Sequence, residues 1–246
     1  MRTGMTSPRF SMVVPAYNEE RLLPRLLDSI DIARAAYAGT GEVEVIVADN
    51  SSTDHTASIA AARGCHVVRV DKRVIAAARN GGARIARGEI LAFIDADSQI
   101  HPRTFTEIDA ALANGHVVGG ATGVTLERWS AGIAVTWLIM VPMVLVTGMD
   151  TGVVFCRKSD FDAVGGYDEN VLIAEDVAFL QALRRLGKTR GQRLTRVTRA
   201  KGVASTRKFD EFGDWHFFPL FVTGMRYLLT RDFTGFADRY WYKPKR

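Results

Sequence analysis

Hydrophobic positions in the first half of the chain follow two alternating patterns. Residues 10–14 form an apolar run ending at Pro15, and 43–48 form another ending at Asp49. Both runs, with 66–70 and 90–94, predict strands. Between them, 19–36, 53–63 and 74–87 carry the longer spacing of helices, with Gly64 and Gly88 standing as stops. Crossovers of this length join parallel strands, so the pattern predicts an α/β protein with a doubly wound sheet. A helix at 104–113 closed by Gly115 follows, then one or two strands in 117–127 around Gly119, Gly120 and Gly123. Further on, 152–157 reads as a strand and 174–186 as a helix ended by Gly187.

The segment 131–149 contains no charge and as a helix would span roughly 28 Å, about a bilayer core. Pro142 interrupts it, and Thr136 and Thr147 add polar atoms. One crossing would also separate the motifs before it from those after it. The expectation is therefore a buried helix or one flanking the site, with an interfacial element as the competing reading. Without a repeat, a low-complexity stretch or a Ser/Gly linker, a single domain over 1–246 is expected.

Composition narrows the partners. The 32 basic residues are dispersed among 27 acidic ones, for a net charge of +5. That suits an anionic small substrate or membrane surface. No aromatic and basic RNA-reading motif appears, so no nucleic-acid partner is expected. Cys65 and Cys156 are too few and too far apart for a disulfide framework or a cysteine-ligated zinc site. Free thiols, together with the lack of an apolar run in residues 1–9, predict a cytoplasmic location without a secretory signal.

Open α/β sheets bind ligands beyond the carboxyl ends of their strands, where strand order reverses. Three acidic clusters fall there: Pro15 to Glu20 after the first strand, Asp49 to Asp54 after the second, and Asp95-Ala96-Asp97 after the fourth. No G-x-G-x-x-G and no Walker lysine loop accompanies them, which argues against a dinucleotide oxidoreductase or a P-loop phosphotransferase. An acidic crevice suits a nucleotide whose phosphates are neutralised by a metal. Asp95 and Asp97 share a face if extended geometry persists, and their hard oxygens suit Mg²⁺ or Mn²⁺. A D-x-D pair alone also fits helix capping or a solvated turn.

Asp49 fits either a cap on the following helix or a contact to base or ribose. Arg79 and Asn80 begin Arg-Asn-Gly-Gly-Ala-Arg on the third helix. Arginine there can reach a diphosphate, and the glycines permit close packing; a surface arginine with a packing-driven glycine pair fits equally. Downstream, Gly165-Gly166-Tyr167-Asp168-Glu169 reads as a turn, and Glu175-Asp176 opens a helix with acids at its positive end. A carboxylate beside a metal-bound diphosphate can also act as a base.

In this order, Val14-Pro15-Ala16-Tyr17-Asn18-Glu19-Glu20, Asp49-Asn50-Ser51-Ser52-Thr53-Asp54, Asn80-Gly81-Gly82-Ala83, Asp95-Ala96-Asp97, Gly165-Gly166-Tyr167-Asp168-Glu169 and Glu175-Asp176 resemble the family-two glycosyltransferases with the GT-A fold. The resemblance covers approximately 10–187. It implies a Rossmann-like, mostly parallel central sheet flanked by helices, with a nucleotide-binding half at 8–115 and an acceptor-binding half with a C-terminal tail at 116–246. It further implies an inverting, metal-dependent transfer from a UDP- or GDP-sugar to an acceptor hydroxyl or lipid phosphate. Pro15, Tyr17, Glu19 and Asp49 would cradle the nucleoside, Asp95 would contact ribose or donor, and Arg79 and Arg207 would face the diphosphate. Asp97, with His216 as a further candidate, would hold Mg²⁺ or Mn²⁺. In the Glu175-Asp176 pair, Asp176 would be the base.

The Q-x-x-R-W motif of processive members is absent, which implies non-processive transfer. A lipid-linked acceptor and peripheral contact at the inner face of the cell membrane are expected from 131–149 and from the aromatic, basic segment 239–246. Two other readings stay open: a nucleotide-sugar-binding module without transfer, and a sugar-phosphate nucleotidyltransferase. The second expects a Gly-rich basic loop where this chain has acidic 15–20.

Overall fold

The computed structural model describes residues 7–39, 41–147, 151–172 and 174–215, with 140–147 described by backbone alone. His216 and 239–246 lie outside the described residues.

The first half follows the expected alternation: β1 (Phe10–Ala16), α1 (Leu23–Ala36), β2 (Val43–Asp49), α2 (Thr56–Ala62), β3 (His66–Arg69), α3 (Ile75–Ile85), β4 (Ile90–Phe93) and α4 (Thr104–Ala113). Then come β5 (Val117–Ala121), β6 (Val124–Leu126), α5 (Ala131–Thr147), β7 (Val154–Arg157), α6 (Lys158–Val164), α7 (Glu175–Thr189), β8 (Arg193–Arg196), β9 (Gly202–Ala204) and α8 (Arg207–Phe212).

Seven strands form one sheet in the order β3-β2-β1-β4-β7-β5-β8, and β6 pairs with β9. The pairs β1–β2, β2–β3, β1–β4 and β5–β8 are parallel, whereas β7 runs against both β4 and β5. The chain winds outward from β1 through β2 to β3, then returns to lay β4 on the other side of β1. The reversal of strand order therefore lies between β1 and β4, where a ligand crevice is expected.

Burial of β1, β2 and β4 along their whole length explains their apolar runs. Phe10, Met12 and Val14 join one core cluster with Leu26, Ile30, Phe105 and Ile108 of α1 and α4. Val13 joins the other, with Ala76 and Ala83 of α3, Phe161 of α6, and Phe179 and Leu183 of α7.

Several boundaries differ from the sequence pattern for local reasons. The helix expected from 19 begins at Leu23, with Pro24 in its first turn, where a missing N–H goes unnoticed. β1 continues past Pro15 to Ala16, because pairing with β4 ends at Val13 and the absent proline N–H has no partner to lose there. α7 runs through Gly187 to Thr189. That glycine is a contact rather than a stop, since a Cβ would lie 2.9 Å from both Gln192 O and Val118 Cγ1. α6 is a short helix that the pattern did not announce, closed by Gly165 at φ 81°.

The chain divides into two compact units. The first, Met1–Thr125 with Met149–Ala204, holds the seven-stranded sheet; the second is Leu126–Gly148 with Ser205–Arg246. In the second, Arg128 fastens the start of α5 to the end of α8, donating from Nε to Asp210 at 2.8 Å and from Nη2 to Asp214 at 2.6 Å. Trp129 and Trp137 meet edge to face at 5.7 Å. Among the described residues no helix is long and apolar enough to cross a membrane.

Gly120 marks the tightest backbone approach in the sheet: a Cβ there would lie 2.0 Å from Thr195 O of β8. It follows a register irregularity between Val117 and Gly119. Gly120→Ala is expected to destabilise the fold by about 1–3 kcal/mol, lowering Tm by roughly 2–12 °C. A calorimetric Tm equal to that of the unaltered chain would show that β5 and β8 part without cost.

Candidate functional site

At the carboxyl edge of the sheet, the loops after β1 and β2 are laced together. Ala16 and Asp49 are register partners, and Asn50 N donates to Ala16 O at 2.8 Å. Asn18, at φ 53°, accepts from Thr53 N at 2.8 Å through its Oδ1 and donates its own N–H to Ser52 Oγ at 3.0 Å. Glu19 N donates to Thr56 Oγ1 at 2.8 Å, Glu20 N to Asp54 Oδ2 at 3.1 Å, and His55 N to Glu20 Oε2 at 3.1 Å. These bonds take up residues 53–55, which is why α2 begins at Thr56 rather than at 53. Asp49 is buried and accepts from Ser52 N at 3.2 Å, a turn within the loop rather than a cap on α2, which begins only at Thr56.

Asn50, which the sequence did not single out, ties the third loop to the second by donating Nδ2 to Val70 O at 2.9 Å and Lys72 O at 2.7 Å. Its only signal was an Asn directly after the strand-end aspartate. Pro15 is buried within β1, whereas Tyr17 is exposed at the rim with the Arg73 guanidinium 4.1 Å above its ring. Arg73 could not be found from spacing, because its partner lies two strands away in sequence.

Beyond β4 the chain turns at once. Ile94 N still donates to Val13 O, but Ser98 N folds back to Asp95 O at 3.1 Å and Gln99 bridges to Val203. The extended geometry on which a shared face for Asp95 and Asp97 depended does not persist. Asp95 has a half-exposed side chain, and Asp97 is half-buried.

Arg79 is 3% exposed, and the structure places it among carboxylates. Nη2 meets Asp95 Oδ1 at 2.8 Å, while Nη1 meets Glu175 Oε1 at 2.6 Å and Asp176 Oδ1 at 2.7 Å. Its guanidinium also lies 5.1 Å from the Tyr167 ring. The D-x-D turn and the first turn of α7 are thereby brought within reach of one side chain. The surface-arginine reading is corrected, because a guanidinium this deep stays charged only with such partners.

Asn80 fixes the turn that follows α6. It donates Nδ2 to Tyr167 O and accepts from Tyr167 N, each at 2.9 Å, and reaches Glu169 Oε1 at 3.1 Å. Lys72 holds the other Glu169 oxygen at 2.7 Å. Gly166, at φ 76°, is needed there, since a Cβ would press on Asn80 Oδ1 at 2.7 Å. Tyr167 stacks on Phe179 with ring centroids 4.2 Å apart. Gly81 and Gly82 let α3 sit close to the sheet: Cβ atoms there would lie 2.5 Å from Val70 and 2.4 Å from Val13. The packing reading of the glycine pair holds.

Ala174 enters α7 in left-handed geometry at φ 60°, a strained position for a residue with a Cβ. Glu175 and Asp176 then occupy the first turn, where the helix dipole favours negative charge. Burial pushes the Asp176 carboxyl up to about 6; Asp95 and Glu175 push the same way, and Arg79 opposes them. The Arg79 guanidinium itself stays charged, held above its ordinary range by Asp176, Asp95 and Glu175 against the effect of burial.

A divalent ion fits the donor set in one way. Among the described residues no group of three or more His, Cys, Asp and Glu could hold a metal by itself. Asp97 and the neighbouring half-exposed Asp95 offer the hard oxygens that Mg²⁺ or Mn²⁺ prefers, and these ions commonly take one or two carboxylates and complete the shell with phosphates and water. Arg207 opens α8 in the second unit.

The chain is 37% identical over 118 residues to the validoxylamine A glucosyltransferase of Streptomyces hygroscopicus subsp. limoneus, a match covering 45% of this chain and 25% of that protein. The chain therefore spans well under two thirds of that relative. Among solved structures, S. aureus TarS 1-349 in complex with UDP-GlcNAc aligns with a TM-score of 0.62 at 21% identity, over 81% of this chain and 59% of that one. The mannosyltransferase PcManGT from Pyrobaculum calidifontis in complex with GDP-Man and Mn²⁺ aligns with a TM-score of 0.59 at 22% identity, over 82% and 57%. Both likenesses support the GT-A fold. The family model described as "Glycosyl transferase family 2" matches residues 11–146, more than half of the sequence, and the chain belongs to that family.

Proposed function

We propose that this chain transfers a sugar, with inversion, from a nucleoside-diphosphate donor to an acceptor hydroxyl, with Asp176 as the base. The observation that carries the reading is the reach of Arg79. One guanidinium touches Asp95, in the turn after β4, and Asp176, at the start of α7. In the reaction the acceptor O–H gives its proton to Asp176, and the oxygen attacks the anomeric carbon from the face opposite the leaving group. The bond from that carbon to the diphosphate oxygen breaks, and its electron pair departs with the nucleoside diphosphate.

Pro15, Tyr17, Glu19 and Asp49, all at the carboxyl ends of β1 and β2, would cradle the nucleoside. The lacing of the loops after β1 and β2 sets that cradle before the donor arrives, which limits the ordering cost of binding. Asp95 would contact ribose or donor, and Arg207 remains a candidate for the diphosphate. Asp97 would hold Mg²⁺ or Mn²⁺, which when bound supplies charge stabilisation to the leaving diphosphate. The Mn²⁺ and GDP-Man held by the Pyrobaculum mannosyltransferase support this reading of the donor.

The acceptor is proposed to be lipid-linked. Trp129, Leu138, Phe212 and Trp215 are exposed on the second unit, and Leu138 at 72% stands on a helix without a charge. Cosedimentation with anionic liposomes at low salt is expected; a chain that stays in the supernatant would point to a water-soluble acceptor.

Two variants and a pH profile test the transfer chemistry. With Mn²⁺ and a panel of UDP-, GDP- and dTDP-sugars, at least one donor should turn over, and Asp97→Ala should abolish that metal-dependent turnover. Undiminished activity in this variant would remove Asp97 from the metal site. Asp176→Asn should bind donor normally yet transfer about 100- to 10,000-fold more slowly. The base works only when ionised, and its carboxyl titrates near 6, so kcat should fall as pH drops through about 6 and level off above it. A kcat flat between pH 5 and 8 would assign the proton to another group.

A further inference from the structure

Arg79 lies at the centre of the site but has no free approach to a ligand. It is 97% buried by its 3% exposure, and both Nη atoms already face carboxylates. The helix that carries it is fixed, because Gly81 and Gly82 bring α3 against Val70 and Val13 with no room for a Cβ. Asp176 is surrounded by four groups: Glu175 from its own helix, Arg79 from α3, Asp95 from the turn after β4, and Tyr167 from the turn after α6. Of these only Arg79 is a cation. Three of the five buried side-chain polar atoms that lack a hydrogen-bond partner among the described residues also gather here: Arg79 Nε, the Tyr167 hydroxyl and Asp176 Oδ1. Asp176 Oδ1 is thus buried close to Nη1 without a well-directed hydrogen bond, so the ion pair holds this oxygen in place.

We infer that Arg79 is a positioning residue for transfer: its guanidinium fixes the Asp176 carboxylate relative to the donor-side Asp95, and it acts on the reaction through Asp176 rather than by touching the diphosphate. This rests on the reading of Asp176 as the base. A planar fork is suited to the task because its two ends reach carboxylates on different elements at once, which a lysine ammonium on a flexible stem does not reproduce. An error of about 1 Å in a reacting group is enough to cost on the order of 100-fold in rate.

The test uses the full chain with Mn²⁺ and whichever of UDP-glucose, UDP-N-acetylglucosamine and GDP-mannose it turns over. Arg79→Met is expected to lower kcat about 100-fold while donor KM and the affinity for UDP or GDP by calorimetry change less than about 3-fold. Arg79→Lys keeps the buried charge, and so keeps the question open to measurement if the methionine variant does not fold. It should recover part of the loss, with kcat about 10-fold below the unaltered chain. Combined with Asp176→Asn, either Arg79 variant should add nothing to the loss that Asp176→Asn causes alone, because both changes disable one base.

Donor affinity falling in step with kcat would make Arg79 a donor contact, and losses that multiply in the double variant would make its effect independent of Asp176. Either result overturns the proposal, as does Arg79→Lys with an unaltered kcat. Full turnover by Asp176→Asn would instead retire the base assignment and the role of Arg79 together. Multiplied losses alongside an impaired Asp176→Asn would retire the role of Arg79 alone.

Discussion

A buried guanidinium is the constraint around which this site is arranged. Arg79 cannot be neutralised at any pH a protein survives, so its burial requires carboxylates at the two terminal nitrogens of its guanidinium. It finds them on two elements far apart in sequence, the turn after β4 and the first turn of α7. Pairing a charge in the interior is poor evidence for stability, because desolvation offsets much of the attraction. What such a pair does secure is geometry: removing either partner leaves the other charge stranded, so the elements that carry them hold one arrangement.

The backbone makes that arrangement possible. The strand order reverses between β1 and β4, and β1 outruns its pairing with β4 at Val13 while Pro15 still pairs with Ala48 of β2. Asn80, one residue after Arg79, clamps the Tyr167 turn through both its amide atoms, so one turn of α3 supplies both the charge and the neutral polar contacts of the site. Gly166 and the left-handed Ala174 then steer the chain into α7 with its acids facing inward. Ala174 holds this left-handed geometry at φ 60° immediately before the two acids.

Much of this was legible in the sequence, and the reasons for the exceptions are physical. Strands buried on both faces announce themselves as apolar runs, which is why β1, β2 and β4 were found, and glycine stops located the ends of α2 and α4. Gly187 misled because a glycine that ends a helix and one that makes room for Val118 look alike in sequence. The strand at 152–157 was legible but its antiparallel direction was not, since strand direction is set by long-range pairing that no local pattern records. Asp95, Asp97 and Asp176 could be singled out by motif, but the partner of Asp176 could not. Arg79 reads as a surface side chain or a phosphate ligand until the fold places three carboxylates around it.

The same cluster explains how one carboxylate can be both ionised and basic. An exposed aspartate is almost always charged at neutral pH but is a weak base, while one buried alone would hold its proton and be useless as an acceptor. Near Asp176, burial and the negative charges of Asp95 and Glu175 raise the proton affinity, and the single positive charge of Arg79 stops the rise at about 6. In the proposed reaction, a carboxyl titrating just below neutrality would be mostly ionised when an acceptor arrives and would still take a proton more readily than a free aspartate, the compromise general-base catalysis favours. Nothing at Asp176 alone achieves this. It depends on one cation and two further anions being held at fixed distances by α3, the turn after β4 and α7.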